Sequence, residues 1–130
     1  MGRIVAFHDA GGSLTPALGI KPQSVSGATV NGTGIDLASK GGAYFVVGVG
    51  NVTDPTNATW TVFLQDSADN TTFANVNTTT YPEATIAASN TANTTGELFY
   101  TGGSGRQRYV RPVVTTVANA ALISVVAATY

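Results

Sequence analysis

Cysteine is absent from the 130 residues, histidine and tryptophan occur once each, and charged side chains make up only 10%. Without cysteine no disulfide braces the fold, and no thiolate is available as a nucleophile or metal ligand. A lone histidine, His8, cannot build a usual zinc site without partners. A serine nucleophile would have to borrow that same histidine from a Gly-rich N-terminal stretch, and no G-x-S-x-G elbow occurs. The only glutamates are Glu83 and Glu97, and nothing in the sequence brings them together as an acid/base pair. The expectation is a protein that is not an enzyme, with no catalytic residue, no cofactor and no metal ligand.

Charge is scarce in both signs. Six basic residues, Arg3, Lys21, Lys40, Arg106, Arg108 and Arg111, against seven acidic ones leave a net charge of -1. That is no electrostatic footprint for a phosphate backbone, so nucleic acid is not an expected partner. There is no apolar run of about 18 residues, so no helical membrane span is expected. The N-terminus lacks the long apolar stretch of a signal peptide, and the missing cysteine fits synthesis in a reducing cytoplasm. Six Asn-X-Thr triplets, starting at Asn31, Asn51, Asn57, Asn70, Asn77 and Asn93, then read as products of an Asn- and Thr-rich chain rather than glycosylation acceptors.

What is present is apolar and neutral-polar. Hydrophobic residues make up 43%, enough for one core in a single domain. The charged fraction lies well below the roughly 25% of soluble domains, so Thr, Asn, Ser and Gly must wet the surface. Such a surface suits an assembly whose exterior is covered by neighbours, and equally a secreted or adhesive β-domain.

Residues 1–27 read as an extended N-terminal arm, broken by Gly11, Gly12, Pro16, Gly19, Pro22 and Gly27, with no sustained period of 2 or 3.6. Its apolar residues Ile4, Val5, Phe7, Leu14 and Leu18 need cover, which makes them the candidate contacts to a neighbour. From Ala28 to Tyr130 the chain reads as a β-sandwich domain. Short extended pieces at 28–30 and 34–37 flank an Asn31-Gly32 turn signal, and 43–49 is an apolar run of strand length. In the strand from Trp60, alternation puts Trp60, Val62 and Leu64 on the core face. A polar bend at Asp66–Asn70 returns Phe73–Val76 as the second arm of a hairpin, and an edge strand is expected near Thr85–Ala88. Strands follow at Glu97–Thr101 and Arg108–Val117, where Pro112 predicts an edge position or a bulge. The last strand, Ala121–Ala128, is apolar on both faces, which predicts cover on both sides. No capped periodic segment reaches helical length. The fold class is all-β, an antiparallel sandwich with a jelly roll among its topologies.

Asp66, Asp69 and Asn70 lack the ligand spacing of an EF-hand and read as a side-chain-stabilised turn. Arg108 and Arg111 fall on opposite faces of their strand. For Arg111 the expected partner is an aspartate or a backbone carbonyl of the same domain, and an inter-subunit polar contact through Arg108 or Arg111 is the functional alternative. Tyr44, Tyr81 and Tyr100 are candidates for stacking on a sugar, although packing is the commoner fate of tyrosine.

Two segments carry a resemblance. Leu64, Gln65, Ser67 and Asp69, followed by Phe73 and Val76, form an LQ-x-S-x-D…F-x-x-V pattern, and Arg108, Tyr109, Val110 and Arg111 form an RYVR run before alternating aliphatics. With the upstream Gly-x-Asp strand at Asp36, this resembles a group of small virion structural proteins from tailed phages, over residues 33–128. The resemblance implies a capsid decoration or cement protein, made in the host cytoplasm and located on the capsid surface. It would bind the major capsid protein lattice and stabilise the head as a homo-oligomer, trimer or dimer. The alternative function is a carbohydrate-binding or adhesive β-sandwich module of a tail, baseplate or head fibre, with Tyr81 or Tyr100 beside the Asn77–Thr95 tract.

Overall fold

A computed structural model of the chain describes residues 14–52, 59–89, 93–101, 105–118 and 120–130. His8 and the arm residues Ile4, Val5 and Phe7 lie outside the described residues. The strands are β1 (Thr15–Ser26), β2 (Thr29–Asn31), β3 (Ile35–Asp36), β4 (Ala43–Val52), β5 (Thr59–Ser67), β6 (Ala74–Asn75), β7 (Thr85–Ser89), β8 (Thr94–Tyr100), β9 (Tyr109–Ala118) and β10 (Ala120–Thr129). No helix is present among the described residues. Two antiparallel sheets pack face to face as an all-β sandwich. The four-stranded sheet has the order β1-β10-β4-β8. In the six-stranded sheet β9 and β5 form the centre, flanked by β2 and β3 on one side and β6 and β7 on the other.

Valine, threonine and aromatics suit these half-buried pleated surfaces, and alternation decides which of them meet in the middle. Phe45, Val47, Leu98, Tyr100, Ile123 and Val125 from the four-stranded sheet face Trp60, Val62, Leu64, Val110 and Val114 from the other, all buried. The trio expected from the Trp60 alternation is therefore in the core. The Phe73–Val76 return is present as β6, with Gln65 opposite Asn75, and the edge strand near Thr85 is β7.

Three expectations meet a different structure. Thr15–Ser26, read as part of the arm, is a strand of the four-stranded sheet, running from Thr15 opposite Thr129 to Ser26 opposite Ala120. Register shifts between Leu18 and Ile20 and between Ile20 and Gln23 destroy the two-residue alternation. Ile20 and Val25 are both buried although an odd number of residues apart, which is why no period shows in the sequence. Bulges, Pro16, Pro22 and Lys21 also blunt this edge against stray pairing.

Pro112, read as an edge or bulge position, lies on β9, which is central. The flank it faces is divided: β2 pairs at Val113–Thr115 and β3 at Tyr109–Val110, leaving Pro112 at the break. Its carbonyl accepts from Gly32 N at 2.7 Å, while Thr33 N turns away to Gly19 O at 2.9 Å. No ladder partner waits there for the amide hydrogen that proline lacks.

The third difference is β10. It is central, between β1 and β4, but only its inner residues are buried. Leu122 and Val126 on the outer side are 46% and 44% exposed. Two apolar faces in sequence here mean one face in the core and one face open.

Gly32 sits where three segments converge. A Cβ on it would lie 2.7 Å from both Gly19 O and Pro112 O, backbone atoms held by the bonds just described. Gly32→Ala is expected to destabilise the domain by about 1–2 kcal/mol through this overpacking, read as a lower urea midpoint with an unchanged slope.

Candidate functional site

The three arginines of the RQRYVR run separate. Arg106 donates to Leu37 O, Lys40 O and Gly41 O at 2.6, 2.7 and 2.8 Å, pinning the loop between β3 and β4. Arg108 makes a bidentate pair with Asp36, both bonds 2.9 Å. The pair is about half exposed. The guanidinium, followed by the backbone N–H of Ala38, holds the Asp36 carboxyl below the ordinary carboxylate range. Arg111 pairs with neither an aspartate nor a backbone carbonyl. Its Nε and Nη2 donate to Gln65 Oε1 at 3.0 and 2.7 Å, and its guanidinium lies 4.0 Å from the Phe73 ring centre. Gln65 stands directly opposite Arg111 in the β5–β9 register and donates on to Asn75 Oδ1. The sequence shows both residues but not the register that joins them.

The Asp66–Asn70 bend is the turn its composition predicts. Asp69 Oδ1 accepts from Thr71 N, Thr72 N and Ser67 Oγ at 2.8–2.9 Å. The Thr72 and Thr71 amides in particular hold its carboxyl below the ordinary range. Asn70 takes a positive φ of 60°, which asparagine tolerates better than most residues. Among the described residues no three metal-ligating side chains come together.

Tyr81 and Tyr100 are buried, at 7% and 0% exposure, and their rings pack on each other at 4.7 Å. Neither offers a face to a sugar. Tyr44 is half-buried on the outer side of β4, its ring 4.9 Å from that of Phe99, with its hydroxyl donating to Glu97 Oε1 at 2.6 Å. Glu97 and Glu83, unconnected in the sequence, line one shallow cleft of about 520 Å³ with Pro82, Thr85 and Phe99. They meet because Gly96 lets the Ile86 side chain of β7 close onto β8, where a Cβ would collide with it.

Among the described residues, the exposed large apolar side chains gather mainly on the outer face of the four-stranded sheet. Leu18 of β1, Val126 of β10 and Val46 of β4 form one cross-strand row and are 50%, 44% and 37% exposed. Leu122 stands further along β10. Beside it β4 carries Gly48 and Gly50, and together with Pro22, Asn93 and Thr95 they line a furrow of about 360 Å³. Leu14, an arm residue in the sequence reading, is also exposed, whereas Leu18 belongs to this row. The sequence marks these residues as apolar but not as open, because periodicity reports that two faces are apolar and not what covers them.

No protein-family model matches the chain, and no curated protein matches it in sequence. Solved structures do share its fold. The PBSX exported protein XepA aligns with a TM-score of 0.58 and 9% identity, over 88% of this chain and 36% of its own. A chain from the structure of the infectious bursal disease virus Gx strain aligns with a TM-score of 0.50 and 10% identity, over 89% of this chain and 31% of its own. This chain thus spans about a third of the length of each. The likeness establishes a shared two-sheet architecture.

Proposed function

We propose that the chain is a non-enzymatic structural protein of a bacteriophage virion, a decoration or cement protein that binds the major capsid protein lattice at the head surface. The observation that carries this reading is a charge-poor sandwich wetted by neutral polar residues, with apolar side chains exposed at Leu14, where β1 begins, and along the outer row. Contiguous exposed apolar area on a charge-poor domain marks an interaction site. Fold partners support it, one of them a chain of a virus structure and another named for PBSX. Strand order supports it too. With β2 and β3 counted as one split strand and β6 and β7 as another, the sheets interleave as in a jelly roll, a fold common in viral capsid domains.

The mechanism is mass action. A protein that binds the assembled shell and not its dissociated subunits stabilises the shell in proportion to the logarithm of its concentration over its dissociation constant. Ile4, Val5, Phe7 and Leu14 are the proposed contacts, with the major capsid protein as partner. Because β1 begins at Thr15, the informative truncation removes residues 1–13 and leaves Ile20 and Val25 in the core. Co-sedimentation with intact phage heads is expected at a fixed copy number relative to the shell protein. The truncated protein is expected to keep its melting transition and lose the heads. Full occupancy by the truncated protein would refute the role of the N-terminal residues, and no sedimentation of the full chain would refute decoration itself.

One observation favours a second reading, a glycan-binding module: the half-exposed Tyr44–Phe99 pair beside the cleft of Glu83 and Glu97. Its test is a glycan array with Tyr44→Ala as control. Binding abolished by that substitution supports it, and no hits remove it.

A further inference from the structure

We infer that the outer face of the four-stranded sheet is a two-fold interface joining two copies of this chain, with the axis passing over Gly48 and Ser124. The inference goes beyond head binding and takes the outer row for a second copy of this chain, so that head contact falls to the N-terminal residues. Its basis is that the pattern on this face is complementary to itself. Along the outer side of β4 the residues run Val46, Gly48, Gly50, which is a projection, a gap and a hole. On β10 the matching residues are Val126, Ser124 and Leu122, since Val126 pairs with Val46 and Ser124 with Gly48. Leu122 reaches the Gly50 site, where a Cβ would touch it at 3.4 Å.

A two-fold axis lying across the strands at the Gly48–Ser124 level turns each strand antiparallel over its own copy. Val46 then stands over the partner copy's Gly50 hole, and Val126 over the partner copy's Leu122, at both symmetry-related places. On β1 Leu18, opposite Val126, comes over Ser24, opposite Leu122, and on β8 the polar residues match. Glu97, opposite Val46 on β8, comes over the region of Asn93, whose N–H bonds Gly50 O, so no carboxylate faces a carboxylate. An isologous contact demands this kind of self-matching.

Size agrees. Four strands about 4.8 Å apart and about ten residues long at roughly 3.3 Å each give a face of roughly 600 Å². Two such faces bury on the order of 1,200 Å², the lower bound for stable specific interfaces. Aligned sheets pack at about 30° with interdigitating side chains, which the projection-and-hole pattern provides.

The experiment is sedimentation velocity on the full chain and on two variants, Val126→Glu and Leu122→Lys. Both side chains point to solvent in the single chain, so each variant is expected to keep the wild-type far-UV spectrum. Wild type is expected to be dimeric at roughly 100 µM, where a micromolar dimer is largely formed. Each variant alone is expected to weaken the dimer at least about 100-fold, because it buries an unpaired charge twice. An equimolar mixture of the two is expected to recover a dimer within about tenfold of wild type. In the mixed pair the introduced carboxylate meets the introduced ammonium at one contact, and Val126 meets Leu122 at the other. A monomeric wild type, or variants that dimerise as wild type does, overturns the interface. A mixture that stays monomeric overturns the axis. Head co-sedimentation is read separately: a monomer that decorates heads removes this interface alone, and a dimer that ignores heads removes decoration alone.

Discussion

Phe45→Ala is expected to cost about 3–5 kcal/mol, the usual loss on truncating a fully buried aromatic ring with little collapse around it. Phe45 is 0% exposed on the inner side of β4, a central strand of its sheet, with Ala127 of β10 opposite on one side and Leu98 of β8 on the other. Its small neighbour Ala127 cannot expand into the space the ring vacates, and Leu98 is itself fully buried. A domain of this size holds about 5–15 kcal/mol in total, so roughly a fifth or more of its stability rests on one side chain. At roughly 3 °C per kcal/mol the melting midpoint should fall by about 10–15 °C. Calorimetry or urea unfolding measures this directly. Val46, the next residue, points outward, and Val46→Ala is expected to cost less than about 1 kcal/mol. Equal effects at 45 and 46 would mean that the two faces of β4 are not the closed and open sides described.

That pair also shows what a sequence of this kind discloses. Trp60, Val62 and Leu64 alternate with Thr61, Phe63 and Gln65, and an aliphatic and aromatic face beside a turn suffices to place the trio in a core and to return β6. The run at Ala43–Val49 gives a strand but not its exposed side, since Val46 and Val47 are the same residue type with opposite fates. β1 hides behind its bulges: each inserted residue reverses the face of everything after it, so a strand with two of them has no period to detect. Pro112 points the other way, because a residue that forbids a ladder bond fits a central strand wherever the neighbouring strand is interrupted. Tertiary partners were beyond reach for a simpler reason. Arg111 finds Gln65, and Glu83 joins Glu97, through register and sheet packing that bring sequence-distant segments together, and short-range pattern carries no record of either. The surface row was visible as composition and invisible as surface.

Tyr100→Phe is expected to cost about 2–3 kcal/mol at neutral pH and to change the alkaline limb of the stability curve. Tyr100 closes β8 of one sheet. Its hydroxyl donates to Asp66 Oδ2 on β5 of the other sheet at 2.7 Å and accepts from Gln107 N at 2.8 Å. Removing one oxygen leaves a half-buried carboxylate and an amide hydrogen without this partner, each costing about 1–3 kcal/mol where water does not replace it. Burial is the main cause that pushes the phenol well above its ordinary value of 10.0. The bond to the Asp66 carboxylate adds to the rise, because it needs the phenol's proton, while the Gln107 N–H works the other way. A raised folded-state value means that folding favours the protonated phenol. The contribution is therefore complete below pH 10.0 and is lost as pH climbs from there toward the raised value, at about 1.4 kcal/mol per pH unit. Phenylalanine has no proton to lose, so the variant should start lower and decline less steeply above that pH. Its decline will not vanish, because burial also raises Tyr81, and the bond to Glu97 raises Tyr44. Urea unfolding from pH 7 to 11 should show the gap between the two proteins narrowing from about pH 10 upward. Parallel curves would mean that the Tyr100 hydroxyl is already wet in the folded state, and that the two sheets are not tied together at this point.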